Sequence, residues 1–446
     1  MTLPALFHDR LHWLALALLA PLLLASALLT APFQVPDENN HFLRAAQLAE
    51  LDFRTLEHKG EQGGLIRPGY RQIAREERFA SKSFNQGMKL DGATYLEQDY
   101  WRIPAGGERG LITYPNTAYY PAANYALPAL GLALNPGGAM AGFYAGRLVV
   151  ALGVCLILFL ALKAITRGRL FCLTLIAMPM SVSLLASYSQ DAALIAYALA
   201  AAALGNRYLD RPAHGFWPLA GMALFLLPLA LGRPPYAPLL LIPLLLARDV
   251  RDRRIAGALL AVSVALLAAW VQWMKGGPRL APEGVDQAVQ LQRVLEHPVA
   301  TLRTLFSASV DRLPEYAQQF TGVLGWLDIV LPGYIQTGFL ALLAGLLLLG
   351  RPRLNSLPHL GIVALLCSIP LLTALAQYLY WTPVGLDDVW GVQGRYYIPP
   401  ALLLSLILRP ASQPSRLAAL PALAVLLFAA AANLDALRVV SARFWA

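Results

Sequence analysis

Apolar stretches of near-bilayer length recur along the chain, separated by short charged connections. They lie near 11–31, 141–162, 170–187, 191–206, 215–232, 235–247, 255–274, 334–350, 358–381, 396–408 and 417–433. A helix needs about 20 mostly apolar residues to cross a bilayer, so the pattern predicts about eleven to thirteen transmembrane helices, eleven being the count of clear runs. The run 235–247 is short. The stretch 119–134, YYPAANYALPALGLAL, is interrupted by Pro121 and Pro128 and is expected to be re-entrant or interfacial. The first run is longer than the roughly 7–15-residue apolar core of a cleaved signal peptide and is expected to remain as an anchor. The expected fold class is an all-α polytopic membrane protein, with residues 1–446 forming one integral membrane domain.

Two connections are too long for turns. Residues 32–118 are polar and rich in Glu, Arg, Gly and Tyr, which predicts a small folded unit with juxtamembrane helices. Residues 275–333 contain a helix-like stretch from Asp286 to Leu305, followed by LPEYAQQFTGVLGWLDIVLPGY. No internal repeat is visible.

Charge in the short connections orients these segments, because cytoplasmic loops retain Lys and Arg. With the N-terminus inside, the inner connections carry Arg10, Lys163, Arg167, Arg169, Arg207, Arg211, Arg248, Arg251, Arg253, Arg254, Arg351, Arg353, Arg409 and Arg416. The short outer loops carry only Arg233 and Arg395. Both long connections then lie outside. Arg438 and Arg443, in a C-terminal tail that would also lie outside, run against this count.

Composition excludes the soluble alternatives. The chain is 57% hydrophobic and 14% charged, with a mean hydropathy of +0.53, whereas soluble domains carry about 25% charged residues. The net charge of +9 is accounted for by the inner connections, and no basic patch interleaved with aromatics suggests a nucleic-acid partner. Cys155, Cys172 and Cys367 fall inside apolar runs without metal-ligand spacing. No Walker motif, GxGxxG or HExxH occurs, so nucleotide-driven cytoplasmic chemistry is not expected.

The candidate chemistry collects in the outer segments. In VPDENNHFLRAAQLAE, residues 35–50, Pro36 can start a helix, and Asp37, His41 and Arg44 recur at i, i+4 and i+7 on one face. Asp37 and Glu38 are adjacent carboxylates that could take a proton or help hold a metal, or could simply complement a helix N-terminus. SYSQD, residues 187–191, ends on Asp191, an ionisable group at a helix end facing outward. GRPPYAP, residues 232–238, carries Arg233 and Tyr236; QGRYYIPP, residues 393–400, carries Gln393, Arg395 and Tyr396. Arginine suits phosphate, although a snorkelling side chain in an aromatic belt fits the same pattern. FTGVLGWLDIVLP, residues 320–332, reads as a packed turn.

On VPDENNHFLRA, SYSQDA, GRPPYAPL, FTGVLGWLD and VQGRYYIPP, in that order along nearly the whole chain, the protein resembles a bacterial membrane-protein family catalogued as domain of unknown function 2142. That family is similar to the C-type glycosyltransferase superfamily (GT-C). The resemblance implies a GT-C-like fold with two sizeable extracytoplasmic loops in the bacterial inner membrane. It implies transfer of a sugar from a polyprenyl-phosphate or diphosphate carrier to a glycan, lipid or protein acceptor of the envelope. Asp37 would be the general base with Glu38 as its neighbour or metal partner, Arg233 and Arg395 would face the donor phosphate, and a divalent metal (Mg or Mn) has a place in such a site. The rival readings are a transporter or flippase of lipid-linked sugars, which calls for midplane charges and inverted repeats, and a non-catalytic partner of polysaccharide assembly.

Overall fold

A computed structural model of the protein describes residues 9–80, 85, 87–135, 137–210, 215–274, 281–410 and 416–446. Arg211, residues 81–84 and 86 of the first long connection, and residues 275–280 of the second lie outside the described residues.

The protein is a mostly helical multi-pass membrane protein. Among the described residues six helices are long and apolar enough to cross a bilayer: Leu11–Leu29, Ala139–Ala164, Gln190–Asp210, Val250–Met274, Leu357–Tyr380 and Ala419–Phe444. Phe216–Gly232, Pro234–Leu246 and Gly333–Leu349 are shorter apolar helices. The Gln190–Asp210 helix is rich in alanine, whose small side chain lets neighbouring backbones approach. It is accordingly the most enclosed, 72% buried against 11% for Val250–Met274, whose side chains face outward.

Eleven uninterrupted crossings are not what the described residues form. Residues 170–187 break into Arg169–Ile176 and Pro179–Leu185, with Pro179 opening the second half-helix. Non-helical backbone at membrane depth persists only where protein satisfies it. Here Asn433 Nδ2 donates to the Ala177 carbonyl at 2.8 Å and Ser181 Oγ donates to Leu175 O at 2.6 Å. Residues 396–408 run instead through 3₁₀ turns at Gly394–Tyr397 and Leu403–Ile407 around the short helix Ile398–Leu402, which contains Pro399 and Pro400. Around 235–247, prolines at 234, 235, 238 and 243 impose a 3₁₀ path over Pro234–Leu241 before one α-turn. The 119–134 stretch forms Ala122–Tyr125 and Ala126–Ala133, both too short to span.

The all-α expectation gives way in the two long connections, where small sheets form. Strands β1 (Leu56–His58), β2 (Glu61–Ile66) and β3 (Gly110–Thr113) make an antiparallel sheet in that order. The helix Glu38–Ala49 packs against β2. The second connection contains Gln287–Glu296, Pro298–Asp311 and Leu313–Gly322. The single helix anticipated over 286–305 is split at His297–Pro298, because Pro298 cannot donate into the preceding turn. A two-stranded hairpin follows, β4 (Val323–Leu324) with β5 (Ile329–Val330). Gly325 and Leu327 have φ of 63° and 65° in its turn, and Trp326 Nε1 donates to Phe33 O at 3.0 Å, so the FTGVLGWLD motif is a packed turn holding the entry to residue 37.

Contacts sort the two ends of the bundle. At one end Arg167 pairs with Asp210 at 2.6 Å, Arg248 donates to Leu209 O at 3.2 Å, and Arg409 N donates to Gly350 O at 3.0 Å. At the other, Trp445 Nε1 donates to Leu29 O at 2.6 Å, Arg443 pairs with Asp328 at 3.0 Å, and Ala446 N donates to Leu90 O at 2.8 Å. Both long connections and the chain's last residues therefore share one end.

Candidate functional site

The site begins with an arginine inside an apolar helix. Arg147 and Glu38 are both fully buried and form a two-pronged ion pair, Nε–Oε1 at 2.9 Å and Nη2–Oε2 at 2.5 Å. Arg147 also donates to the carbonyls of Ala27, Thr30 and Ala31, in the last turn of the first spanning helix and just past its end, where helix-end carbonyls lack intrahelical partners. Glu38 accepts in addition from Tyr188 N at 3.3 Å. The Arg147–Glu38 pair thus clamps the first span, the start of the next helix and the loop before Asp191. Glu38 is a positioning residue; its oxygens are not free for substrate or metal.

Asp37, immediately before it, diverges. It lies one position before the helix in the left-handed region at φ 59°, a conformation Asp tolerates better than most residues. Its carboxylate does not cap the helix it precedes; Oδ1 accepts from Asn116 Nδ2 at 3.1 Å instead. Half-buried and bonded to a neutral amide, it is the carboxylate open to a reacting group. Four residues on, His41 Nδ1 meets Tyr125 Oη at 2.6 Å and the ring stacks on Tyr120 at 6.0 Å. Burial, outweighing the attraction of Asp37 and Asp191, pushes the His41 pKa down to about 4, so the ring is neutral at neutral pH. Burial also lifts Tyr120 to about 12. Arg44 reaches Gln47 Oε1 at 2.5 Å and the Tyr120 carbonyl at 3.2 Å; it braces the 114–125 segment rather than joining the charged centre.

Asp191, Arg233 and Arg395 come from three separate motifs and meet. Asp191 Oδ1 pairs with Arg233 Nη2 at 2.5 Å, and Oδ2 lies 3.6 Å from Arg395 Nε, too long for a hydrogen bond. Ser189 Oγ, not Asp191, receives the Asp191 N–H in the first helical turn, at 3.2 Å. The Arg233 guanidinium lies 3.7 Å above the Tyr396 ring, and Tyr236 Oη donates to the Tyr396 carbonyl. Arg395 is 4% exposed, yet its Nε and Nη1 have no hydrogen-bond acceptor, and neither has Arg233 Nε. All four charged groups, Asp37, Asp191, Arg233 and Arg395, act electrostatically on the His41 ring.

Three amide oxygens around this centre are also buried without donors: Asn116 Oδ1 beside Asp37, Asn124 Oδ1 on the side chain that donates to Gln190, and Gln393 Oε1 two residues before Arg395. Buried polar atoms are normally satisfied, and a polar ligand would satisfy these. The arginine donors suit an anion and the amide oxygens suit hydroxyl groups. A divalent cation suits the donors less well. Among the described residues no three Asp, Glu, His or Cys side chains gather, and the oxygens of Glu38 and Asp191 face arginines.

Sequence reasoning had not singled out Arg147, Asn116, Tyr120, Asn124 or Tyr125. Arg147 was detectable as a lone charge well inside an apolar run; the others, in PNTAYYPAANY, had no signal beyond local density of Asn and Tyr.

The profile of a family described as predicted membrane protein (DUF2142) matches residues 21–404. No curated protein and no solved structure matches the chain.

Proposed function

The chain belongs to the DUF2142 family of predicted membrane proteins, and from that premise we propose that it is a GT-C-type glycosyltransferase. It moves a sugar from a polyprenyl-phosphate or diphosphate carrier to an envelope glycan, lipid or protein, on the extracytoplasmic face of a bacterial inner membrane. The observation that carries this reading is the convergence of Asp37 and Asp191 with Arg395, which is buried, and Arg233, which is half-buried, both with N–H groups that lack acceptors. The unpaired amide oxygens support a polyhydroxylated ligand beside the anion, and the gathering of inner-loop arginines at the opposite end supports the orientation.

In this mechanism the Asp37 carboxylate takes the proton of an acceptor hydroxyl. The acceptor oxygen bonds to the anomeric carbon as the bond from that carbon to the phosphate oxygen breaks. The lipid phosphate leaves with the electron pair, and Arg395 and Arg233 hold its charge. Asp191 keeps the two guanidinium groups close despite their mutual repulsion. Neutral His41 and the Tyr120 and Tyr125 hydroxyls line the path without adding charge. A flippase would call for charges at mid-membrane, whereas these acids and arginines lie at helix ends; a non-catalytic assembly partner has no use for their convergence.

The test is binding and turnover in nanodiscs. Asp37→Asn should retain binding of a short-chain polyprenyl phosphate while transfer from its glycosylated form falls roughly 10²–10⁴-fold, the usual scale for a lost acid–base group. Arg395→Gln should weaken the same binding roughly ten- to hundredfold, since a hydrogen bond to a charged group contributes about 1.5–3 kcal/mol. Full transfer by Asp37→Asn would remove the base assignment, and unchanged binding by Arg395→Gln would remove the phosphate site.

A further inference from the structure

The helix Pro298–Asp311 does not span the membrane, yet it presents two apolar faces. Thr301, Leu305 and Ala308 are buried; Leu305 and Ala308 pack with Tyr316, Ala374 and Tyr378 in a cluster at the end of the Leu357–Tyr380 span. Gln290, on the preceding helix, donates to the Tyr378 carbonyl at 3.2 Å and fixes the same end. The second face is Val299, Leu302, Phe306 and Val310, at i, i+3, i+7 and i+11, all exposed; Val299 is 81% and Phe306 69% accessible. Leu295 and Leu313 extend the stripe at both ends. The third face carries Arg303, Ser307 and Asp311. A water-soluble helix has one apolar stripe facing its core; one with a core face, a separate exposed apolar face and a polar face is built for an apolar–aqueous boundary.

The occupant follows from continuity. The cluster joins this helix to an apolar span of which only 22% is buried within the protein, leaving most of that span for lipid to cover. The exposed stripe therefore begins where that lipid-facing surface ends. We infer that Pro298–Asp311 lies half-sunk in the phospholipid interface beside the candidate site, with Val299, Leu302, Phe306 and Val310 among the acyl chains and Arg303 reaching toward headgroup phosphates. The seat bears on the site through the next helix: Gly394 N donates to Gln319 Oε1 at 2.8 Å, and the Gly394 backbone lies against the Tyr316 carbonyl, next to Arg395. The helix Leu313–Gly322, which follows directly on the interfacial one, thus backs the segment that carries one of the two arginines. This inference does not depend on the glycosyl-transfer reading.

The experiment places an environment-sensitive fluorophore at Phe306→Cys or Ser307→Cys in the full-length chain in nanodiscs. Both carry Cys367→Ser, because Cys367 is the exposed one of the three cysteines. The expected result is blue-shifted emission at position 306, quenched strongly by lipids labelled near the headgroup and weakly by aqueous iodide, with the reverse at 307. Iodide quenching of both positions alike would overturn the inference. So would a 306 probe shielded from lipid and iodide together, which would show a second copy of the chain or another protein covering the face. A Phe306→Asp variant, whose fold is checked by size-exclusion, should in addition red-shift a probe at residue 302; an unchanged spectrum there would also count against insertion.

Discussion

At the scale of single residues, the site depends on how buried charges are paired. Arg147 and Glu38 are both fully buried, and removing one partner of such a pair leaves the other uncompensated in a low-dielectric interior. Arg147→Met should therefore cost about 3–5 kcal/mol, read as a fall in the thermal unfolding midpoint in detergent. Glu38→Gln in the same background should recover part of that loss, because it removes the orphaned charge. His41 supplies a pH signature. Unfolded, its imidazole takes a proton near pH 6.5; folded, burial holds it neutral until about 4. Between those values the unfolded state binds more protons, so stability falls as the pH drops through that window. His41→Gln should flatten this part of the unfolding profile between pH 7 and 5; an unaltered pH dependence would show that the imidazole is not the group responsible.

At the scale of elements, short pieces rather than long helices deliver the functional groups. Arg233 sits at the junction of the Phe216–Gly232 helix and a proline-set 3₁₀ turn, and Arg395 lies in another such turn. Pro234, Pro235 and the pair Pro399–Pro400 stiffen these segments by fixing φ, which holds the arginines despite the absence of a regular helix around them. Gly394 is the tight point: an added Cβ would collide with the Tyr316 carbonyl and the Phe320 N–H. Gly394→Ala should displace the Arg395 segment, costing about 1–3 kcal/mol of stability as overpacking does and lowering polyprenyl-phosphate binding by more than stability alone explains. Binding that survives intact would mean the turn can relax without moving its arginine.

At the scale of the whole molecule, the two ends of the bundle divide the work. One gathers basic connections bonded to helix ends; the other gathers the folded long connections, the C-terminal residues and the charged centre. The orientation proposed from the positive-inside rule is checked by labelling. A cysteine at Glu61, in the first connection, should react with a membrane-impermeant maleimide on intact cells, whereas one at Arg251 should react only after permeabilisation. Both positions are exposed, so accessibility within the protein does not confound the comparison. The opposite pattern would turn the molecule over and remove the extracytoplasmic site.

Membrane residence, the two long folded connections and the motifs that hold Asp37, Asp191, Arg233 and Arg395 were all legible in the order of residues. Hydropathy and the distribution of Arg and Lys are properties of local composition, and lipid acts on them segment by segment. Tertiary structure alone decided which neighbouring carboxylate stays available. Asp37 and Glu38 are chemically near-identical in a sequence, and only the approach of Arg147, more than a hundred positions away, commits Glu38 to a scaffold role. It also decided that the apolar run 170–187 is broken, because a freed carbonyl such as that of Ala177 is tolerated only when a distant donor, Asn433, comes to it. Local pattern records what each segment requires of its surroundings; which distant group meets that requirement is settled by packing.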